Sequence, residues 1–317
     1  VLIAVLCSPN FLYLAEPESI GGDEGLEEPW PPVLSEDALA TRLSYFLWNS
    51  PPDETLVKLA AEQKLRDGLE VQVERLLNNE RSWRFIRSFT HEWLRLERQQ
   101  LITINANTYP AYTRFVKRDM AEETYHFIHH LVEKDMSIFN MIDSDFAMLN
   151  QNLAEFYGIS SVVGSHFRAV AIPASAGRGG LWSQGPFLAC HSDGNEAHPI
   201  KRAVWVKQKI LGDDPPPPPP NVPPLDPETP GFENLTLKEK LIAHRDNPSC
   251  HDCHADIDPF GVVFENYNAV GLMETERKGR PIDTTTVLPN GTPIAGVPEL
   301  KAYFLSEERD TFARALI

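Results

Sequence analysis

Basic residues are scarce in this sequence, and several familiar catalytic patterns are missing from it. The 317 residues include 29 Lys and Arg against 45 Asp and Glu, which gives a net charge of −16. Nucleic acids and anionic membrane surfaces require clustered positive charge, so neither is an expected partner. We find no internal repeat, no Ser-His-Asp signature, no glycine-rich phosphate loop and no carboxylate pair that can be assigned to catalysis.

Long apolar runs are absent as well. Residues 1–7 are mostly apolar, but this run is too short to span a bilayer. It also lacks the basic region and the small-residue cleavage site of a signal peptide. The sequence begins inside this run and ends inside an amphipathic pattern at residues 310–317. We therefore expect a fragment of a longer protein, without a membrane span and with any targeting signal outside it.

Prolines, in contrast, are plentiful and concentrated. Residues 215–220 are six consecutive prolines, and four more follow before residue 231. Such a run prefers the polyproline II conformation and predicts a stiff spacer, with recruitment of a proline-binding module as the alternative. Residues 17–33 are acidic and contain Gly and Pro, which indicates a linker.

Apolar residues recur at helical spacing over residues 34–158. Ser35 suits the N-cap of a first helix, and Asp53 suits the N-cap of a second helix over residues 54–61. Gly158 suits a C-terminal cap. Further helices are predicted over residues 68–79, 81–96, 110–134 and 138–158.

After residue 164 the pattern becomes mixed. A short strand is predicted over residues 170–172, and strand-and-turn structure over residues 272–295. Pro199 suits the first turn of a helix over residues 199–211, and Gly212 suits the position after its end. Further helices are predicted over residues 237–245, 297–305 and 310–317.

The most specific pattern is C-x-x-C-H, formed by Cys250, Cys253 and His254. This spacing is typical of c-type haem attachment. Two thiols three residues apart on a helical turn can each form a thioether with one vinyl group of a porphyrin, and the adjoining imidazole can then bind the iron. The motif predicts haem c as cofactor and His254 as the proximal iron ligand.

Three alternatives compete with haem at this motif. Zinc could use Cys250, Cys253, His251 and His254, but a structural zinc site usually needs a distant second ligand pair, for which only Cys190 and His191 are available. A redox C-x-x-C would require a thioredoxin-like βαβ context, which is absent. Two unrelated buried thiols are the third alternative.

Cys7 and Cys190 remain after the motif is counted. A disulfide between them is an alternative in an oxidising compartment, but two unpaired thiols are the simpler interpretation.

The sixth iron ligand is less well specified. Met273 is the only methionine after His254, and no histidine follows His254, so Met273 is the candidate distal ligand. His191, His198 and His244 are upstream alternatives. An iron without a protein ligand on that side is a further alternative, and it would permit small-ligand binding or peroxidase-type chemistry.

Glu123 and His126 have the i, i+3 spacing of di-iron carboxylate bundles. Such a site needs a second Glu-x-x-His pair, which the sequence does not contain. We therefore interpret these residues as part of a solvated polar helix face.

The motifs together resemble the planctomycete-type cytochrome proteins, which are large proteins built from several domains of unknown function. The haem-carrying domain of that family is matched by Pro199-x-Lys-Arg202, Trp205, Leu211-Gly212, the proline run, the C-x-x-C-H motif, Ile257-Asp-Pro-x-Gly261, Glu265-Asn266 and Ala269-x-Gly271. The preceding helical domain is matched by Leu43-Ser-Tyr-Phe-Leu-Trp48, Pro51-Pro-Asp-Glu54, Phe89-x-x-x-Trp93-Leu94, Leu149-Asn150 and Tyr157-Gly158. One departure is Leu272-Met273-Glu274, where relatives tend to have an Arg-Trp-like sequence.

The resemblance implies haem c binding and an exported, periplasmic protein, but no particular reaction. Electron transfer to a redox partner, or to neighbouring domains of the parent chain, is the first functional hypothesis. The alternatives are a haem enzyme with an open iron site, and a structural or binding module linked to polysaccharide use.

The expected fold is mainly α, with a helical domain followed by a small, mostly helical cytochrome c-like domain that has short β segments and a Pro-rich linker. The predicted boundaries are residues 1–33 for the tail of a preceding module and a linker, 34–164 for the helical domain, 165–274 for the haem domain and 275–317 for the start of a following module.

Overall fold

The computed structural model describes residues 34–173, 176–216, 235–245 and 248–316, together with residues 3 and 6–8, and it describes only the backbone at residues 244 and 248–250. The predicted acidic linker over residues 17–33 and most of the proline run lie outside the described residues. The chain forms two compact units, Val1–Ser88 and Phe89–Ile317. The domain boundaries given above stay predictions.

The described residues are mainly helical, which confirms the predicted fold class. The α-helices are α1 Glu36–Trp48, α2 Glu54–Ala61, α3 Leu69–Leu77, α4 Trp83–Leu94, α5 Arg98–Leu101, α6 Arg114–Glu133, α7 Gln151–Phe156, α8 Gly185–Cys190, α9 Pro199–Val206, α10 Leu237–Arg245, α11 Pro248–Ile257, α12 Pro259–Val262, α13 Gly296–Glu307 and α14 Arg309–Ala315. The strands are β1 Phe146–Leu149, β2 Arg168–Ala171, β3 Glu276–Arg277, β4 Arg280–Pro281, β5 Thr285–Val287 and β6 Pro293–Ala295. They pair as three antiparallel two-stranded sheets, β1 with β2, β3 with β4 and β5 with β6.

The first unit contains α1 to α3 around a core that includes Leu47, Leu56 and Leu76. Ser35 and Asp53 accept hydrogen bonds at the starts of α1 and α2, which confirms both predicted caps. The indole of the buried Trp48 donates to the carbonyl of Leu76 over 2.9 Å, so this side chain joins α1 to the end of α3.

In the second unit, the predicted continuous helix over residues 138–158 is wrong. The chain forms a short 3₁₀-helix at Ile138–Met141, then β1, then α7. All four residues of β1 are buried, and Phe146 pairs with Ala171 of β2. Asn150 ends the strand and starts α7, because its side chain accepts from the Leu153 amide and donates to Asp119. Gly158 follows α7 with a φ of 72°, as the predicted C-terminal cap requires.

Other predictions in this unit are close to the structure. The strand predicted at residues 170–172 is β2 at Arg168–Ala171. The predicted helix over residues 199–211 is α9 followed directly by a π-helix at Lys207–Leu211, with Pro199 in the first turn and Gly212 in the left-handed conformation after the end. Helix α8 was not predicted. None of the helices that the structure describes combines the length and apolar character of a membrane-spanning helix.

Candidate haem-attachment site

Helix α11 carries the C-x-x-C-H motif. The thiol of Cys253 is free and exposed. The imidazole of His254 is partly buried, with 19% of its surface exposed. The side chain of Cys250 lies outside the described residues. The described part of the motif therefore presents one accessible thiol and, next to it, one partly enclosed imidazole.

A buried carboxylate orients the imidazole of His254. Nδ1 of His254 donates a hydrogen bond to Oδ1 of Asp258 over 2.8 Å, and the Asp258 side chain is only 3% exposed. Since a carboxylate can only accept, the proton lies on Nδ1 and the ligating lone pair on Nε2. Histidines that bind metals commonly have this arrangement, which fixes the ring and makes it a better donor to the metal. His254 is thus held in the tautomer that an iron ligand needs.

The residues that follow Asp258 explain the Asp-Pro-x-Gly sequence. Pro259 occupies the first turn of α12, where a missing amide proton costs nothing. Gly261 lies against the backbone of Pro199, and a Cβ at this position would come within 2.7 Å of the Pro199 carbonyl carbon. Only glycine allows α12 to approach the start of α9 this closely. The contact places Asp258 at a fixed distance from α9.

Two further contacts hold α11 in place. Nζ of Lys207, which is 4% exposed, contacts Oδ2 of Asp256 at 2.5 Å and Oδ2 of Asp213 at 2.7 Å. At the other side of the motif, Nδ1 of His251 donates to the backbone carbonyl of Arg245 over 3.3 Å. These contacts attach α11 to the π-helix and to the end of α10.

Asp258, the hydrogen-bond partner of His254, forms part of the wall of a groove of about 640 Å³, and His254 itself does not line this groove. Helix α10, helix α12 and the β5–β6 hairpin supply most of the rest. The apolar lining residues are Leu241, Ile242, Val262, Val287, Pro293, Ile294 and Ala295. A concave, mostly apolar space of this size suits a flat aromatic macrocycle.

Arg202 has a structural role that the sequence did not reveal. Its guanidinium is fully buried and donates to four backbone carbonyls, those of Leu188, Phe264, Tyr267 and Asn268, at 2.8 to 3.0 Å. Burial lowers the pKa of Arg202 to about 10. The arginine joins α9 to the end of α8 and to the turn after α12. Pro199-x-Lys-Arg202 is thus a structural element behind the site, with Arg202 as the connecting residue.

Met273, the candidate distal ligand, lines another groove. That groove is about 900 Å³ in volume, and its lining includes Tyr157, Arg178 and Met273 but not Asp258. The Met273 side chain is 43% exposed and lies against Gly177. Met273 and Asp258, the partner of the proximal candidate His254, therefore line different grooves in the described structure. The assignment of Met273 as a ligand stays a prediction, and this placement does not support it.

The upstream histidines have other partners. His191 is buried, and its Nδ1 donates to the carbonyl of Phe187 over 2.7 Å, while burial lowers its pKa to about 3. His198 caps α9 by accepting from the Lys201 amide, and burial lowers its pKa to about 4. The side chain of His244 lies outside the described residues. The two described histidines thus make local hydrogen bonds, His191 at the end of α8 and His198 at the start of α9.

The two cysteines outside the motif are not joined by a disulfide. Cys7 and Cys190 are both free thiols, and burial raises the pKa of Cys190 to about 12. Within the part of the chain that the structure describes, no group of three or more His, Cys, Asp or Glu residues is arranged to hold a metal ion. The described residues therefore give the zinc alternative no preformed ligand set.

Glu123 is not on a solvated face, which corrects the prediction made for it. Its carboxyl is buried and accepts from the hydroxyl of Tyr157 over 2.7 Å and from the Gly185 amide over 3.4 Å. Burial raises the pKa of Glu123 to about 7. His126 instead stacks on the ring of Phe167. The i, i+3 pair thus points to different neighbours, and Glu123 belongs to the core.

These features define a class: a mainly α protein whose second unit presents a C-x-x-C-H helix and a histidine oriented by a carboxylate that lines an apolar groove. Comparison with protein families gives two matches. Residues 34–159 match PSD4, described as a protein of unknown function (DUF1592), and residues 178–277 match PSCyt3, also described as a protein of unknown function (DUF1588). The two matches cover most of the chain, which belongs to the planctomycete cytochrome-type family that its motifs resemble. No curated protein and no solved structure matches it.

Proposed function

We propose that this chain binds haem c through thioethers to Cys250 and Cys253, with His254 as the proximal ligand. The orientation of His254 by the buried carboxylate of Asp258 carries this proposal, and Asp258 itself lines an apolar groove of about 640 Å³. A histidine at the surface for solubility alone would not need a 3% exposed acceptor fixing its tautomer.

Each residue then has a definite part in binding. His254 offers Nε2 to the iron, Asp258 keeps the proton on Nδ1, and the apolar side chains of α10, α12 and the β5–β6 hairpin exclude water from the groove. Bound haem would supply one-electron chemistry. The proposed role is electron transfer to a redox partner protein or to neighbouring domains of the parent chain, in an exported, periplasmic protein.

The proposal is tested by haem attachment in a host that matures c-type cytochromes. The purified wild-type protein is expected to be coloured, with a mass equal to the polypeptide plus one haem. The double variant Cys250→Ala, Cys253→Ala is expected to lose the haem, since both thioethers are gone. Cys7→Ser removes an exposed free thiol outside the motif and serves as the matched control.

Intact-protein mass spectrometry and the pyridine haemochrome spectrum provide the measurements. A colourless wild-type protein at polypeptide mass would falsify the proposal. Loss of haem in Cys7→Ser would also contradict it, because attachment would then not be specific to the motif.

A second candidate function follows from the position of Met273. Met273 and Asp258 line different grooves. This placement favours an iron whose distal coordination position is not filled by Met273. Small-ligand binding or peroxidase-type chemistry would then be open to the haem. A high-spin absorption spectrum that shifts on adding cyanide or carbon monoxide would support this candidate, and a low-spin spectrum insensitive to both would support electron transfer.

A further inference from the structure

We propose that Arg245, in the last turn of α10, binds a propionate carboxylate of the haem. The inference rests on the proposed function and adds a ligand-binding residue to it. Arg245 lines the groove to which Asp258 contributes, and its own backbone carbonyl accepts the hydrogen bond from His251 within the C-x-x-C-H motif. The residue therefore lies between the attachment helix and the cavity.

One face of α10 forms a wall of this cavity. Lys238, Leu241, Ile242 and Arg245 follow the i, i+3, i+4, i+7 spacing of a helix face, and all four line the groove. Two apolar side chains are thus flanked by a cation at each end. This pattern suits a ligand with an apolar plane and an anionic edge.

The cation at the first end of α10 is already engaged. Nζ of Lys238 contacts Oδ2 of Asp283 at 2.6 Å and the carbonyl of Thr285 at 2.6 Å. The Lys238 ammonium, together with Thr285, holds the pKa of Asp283 at about 2. Glu239 of the same helix forms a two-point ion pair with Arg280. These contacts attach α10 to the β3–β6 segment, so Lys238 fixes the wall.

The two carboxylates that line the groove are engaged too. Asp258 accepts from His254, and Oε2 of Glu299 accepts from the Ala295 amide over 2.7 Å. Among the residues that the structure describes, neither pairs with Arg245. Arg245 therefore contributes positive charge to the lining of the groove.

Covalently attached haem c retains two propionate groups, and a guanidinium matches a carboxylate with two parallel hydrogen bonds. Binding at Arg245 would place a propionate at the end of α10, with the apolar part of the macrocycle along Leu241 and Ile242. The β5–β6 hairpin, which lies beyond the family match that ends at residue 277, would form the opposite wall.

The test compares haem-loaded Arg245→Gln with Lys240→Gln. Lys240 lies on the same helix but lines a separate small cavity, so its variant removes an equal charge away from the groove. Resonance Raman spectra report the propionate bending band, and electrochemical titration reports the reduction potential. Haem content per chain is measured for every variant.

In Arg245→Gln the propionate band is expected to shift and the reduction potential to fall, because loss of a nearby cation disfavours the more negative ferrous state. Lys240→Gln is expected to change neither. Arg245→Lys keeps the charge but loses the parallel bonds, so it should show the Raman shift with most of the potential restored.

Identical Raman spectra and potentials for wild type and Arg245→Gln would overturn the inference while leaving haem attachment intact. If Arg245→Gln does not accumulate, Arg245→Lys replaces it, and an unshifted propionate band in that variant overturns the inference equally. A wild-type protein without haem would instead defeat the proposed function itself, and haem content identifies that case.

Discussion

Residues from the family motifs have different roles in the structure. Trp48 and Arg202 are buried, and each joins separate backbone segments through hydrogen bonds to carbonyl groups. Asp258 instead orients His254 and itself lines the apolar groove. Membership of a motif therefore does not distinguish a residue that stabilises the fold from one that prepares a ligand. The neighbours of each side chain make that distinction.

Met273→Ala is expected to leave the visible absorption spectrum of the haem-loaded protein unchanged. The reason is that the Met273 side chain packs against Gly177 in a different groove from the one that Asp258 lines. Absorption spectra of both oxidation states give the measurement. His254→Ala, prepared alongside, should alter the spectrum, and a change in Met273→Ala comparable to that control would restore Met273 as the distal ligand.

At the level of the elements, the C-x-x-C-H helix depends on its neighbours α9 and α12. The π-helix that continues α9 contains Lys207, whose ammonium bridges Asp213 and Asp256, and Asp256 belongs to α11. Helix α12 follows α11 directly and packs on the start of α9 at Gly261. Both contacts lie on the C-terminal side of His254, and they fix the end of α11 against α9 and its π-helix.

Gly261→Ala is expected to destabilise the protein by about 1–3 kcal/mol, the usual cost of forcing an extra methyl group into a packed contact. The added Cβ would come within 2.7 Å of the Pro199 carbonyl carbon, so the backbones of α12 and α9 must separate. Urea unfolding followed by circular dichroism measures the change in the free energy of unfolding.

Gly68→Ala is the control for that experiment. Its Cβ would meet nothing closer than the Lys64 carbonyl oxygen at 3.5 Å, and its φ of −102° is open to alanine. The free energy of unfolding should change less than in Gly261→Ala. Equal effects in the two variants would show that the approach of α12 to α9 is not the source of the cost.

At the level of the whole molecule, buried carboxyls and buried imidazoles make the free energy of unfolding depend on pH in opposite directions. Burial raises the pKa of Glu123 and of Glu265 to about 7, so each contributes stability that is present below its unfolded-state pKa of 4.5 and is lost as pH rises through 7. Burial lowers the pKa of His191 to about 3 and that of His198 to about 4. The stability that these two residues contribute is present above their unfolded-state pKa of 6.5 and is lost as pH falls toward the lowered values. The carboxyl and imidazole contributions change over the same mildly acidic pH range. The contribution of a single group is therefore measured as the difference in free energy of unfolding between wild type and a variant that lacks that group.

Glu123→Gln is therefore expected to gain stability relative to wild type as pH rises from 5 to 8. A pKa near 7 against 4.5 in the unfolded chain corresponds to at most about 3 kcal/mol. The amide oxygen can still accept from Tyr157. Urea unfolding at each pH measures the difference, and Glu122→Gln, which replaces the adjacent partly exposed carboxyl, is the control. A pH-independent difference for Glu123→Gln would contradict the assignment.

Local signals in the sequence account for much of the described fold. Helices with clear apolar periodicity and polar caps, such as α1 with Ser35, were predicted closely. The strand β1 was missed because a short apolar run fits helix and strand equally, and its pairing with β2 is a tertiary contact.

The candidate site was predicted unevenly for a similar physical reason. The spacing of the C-x-x-C-H motif identified His254 directly. Asp258 could have been predicted as the partner of His254, because it lies four residues later and side chains at i and i+4 are neighbours on a helix. Arg202 and the burial of Glu123 could not have been found, because their partners come from segments far apart in the sequence.

The β5–β6 hairpin has a consequence for the modular organisation of this family. Its residues 285–295 line the groove, yet they follow the family match that ends at residue 277. If haem occupies this groove, its surroundings are set jointly by the cytochrome-type module and by whatever segment comes next in the chain. Recombination of modules during evolution could thus retune the cofactor without a single substitution around the attachment helix.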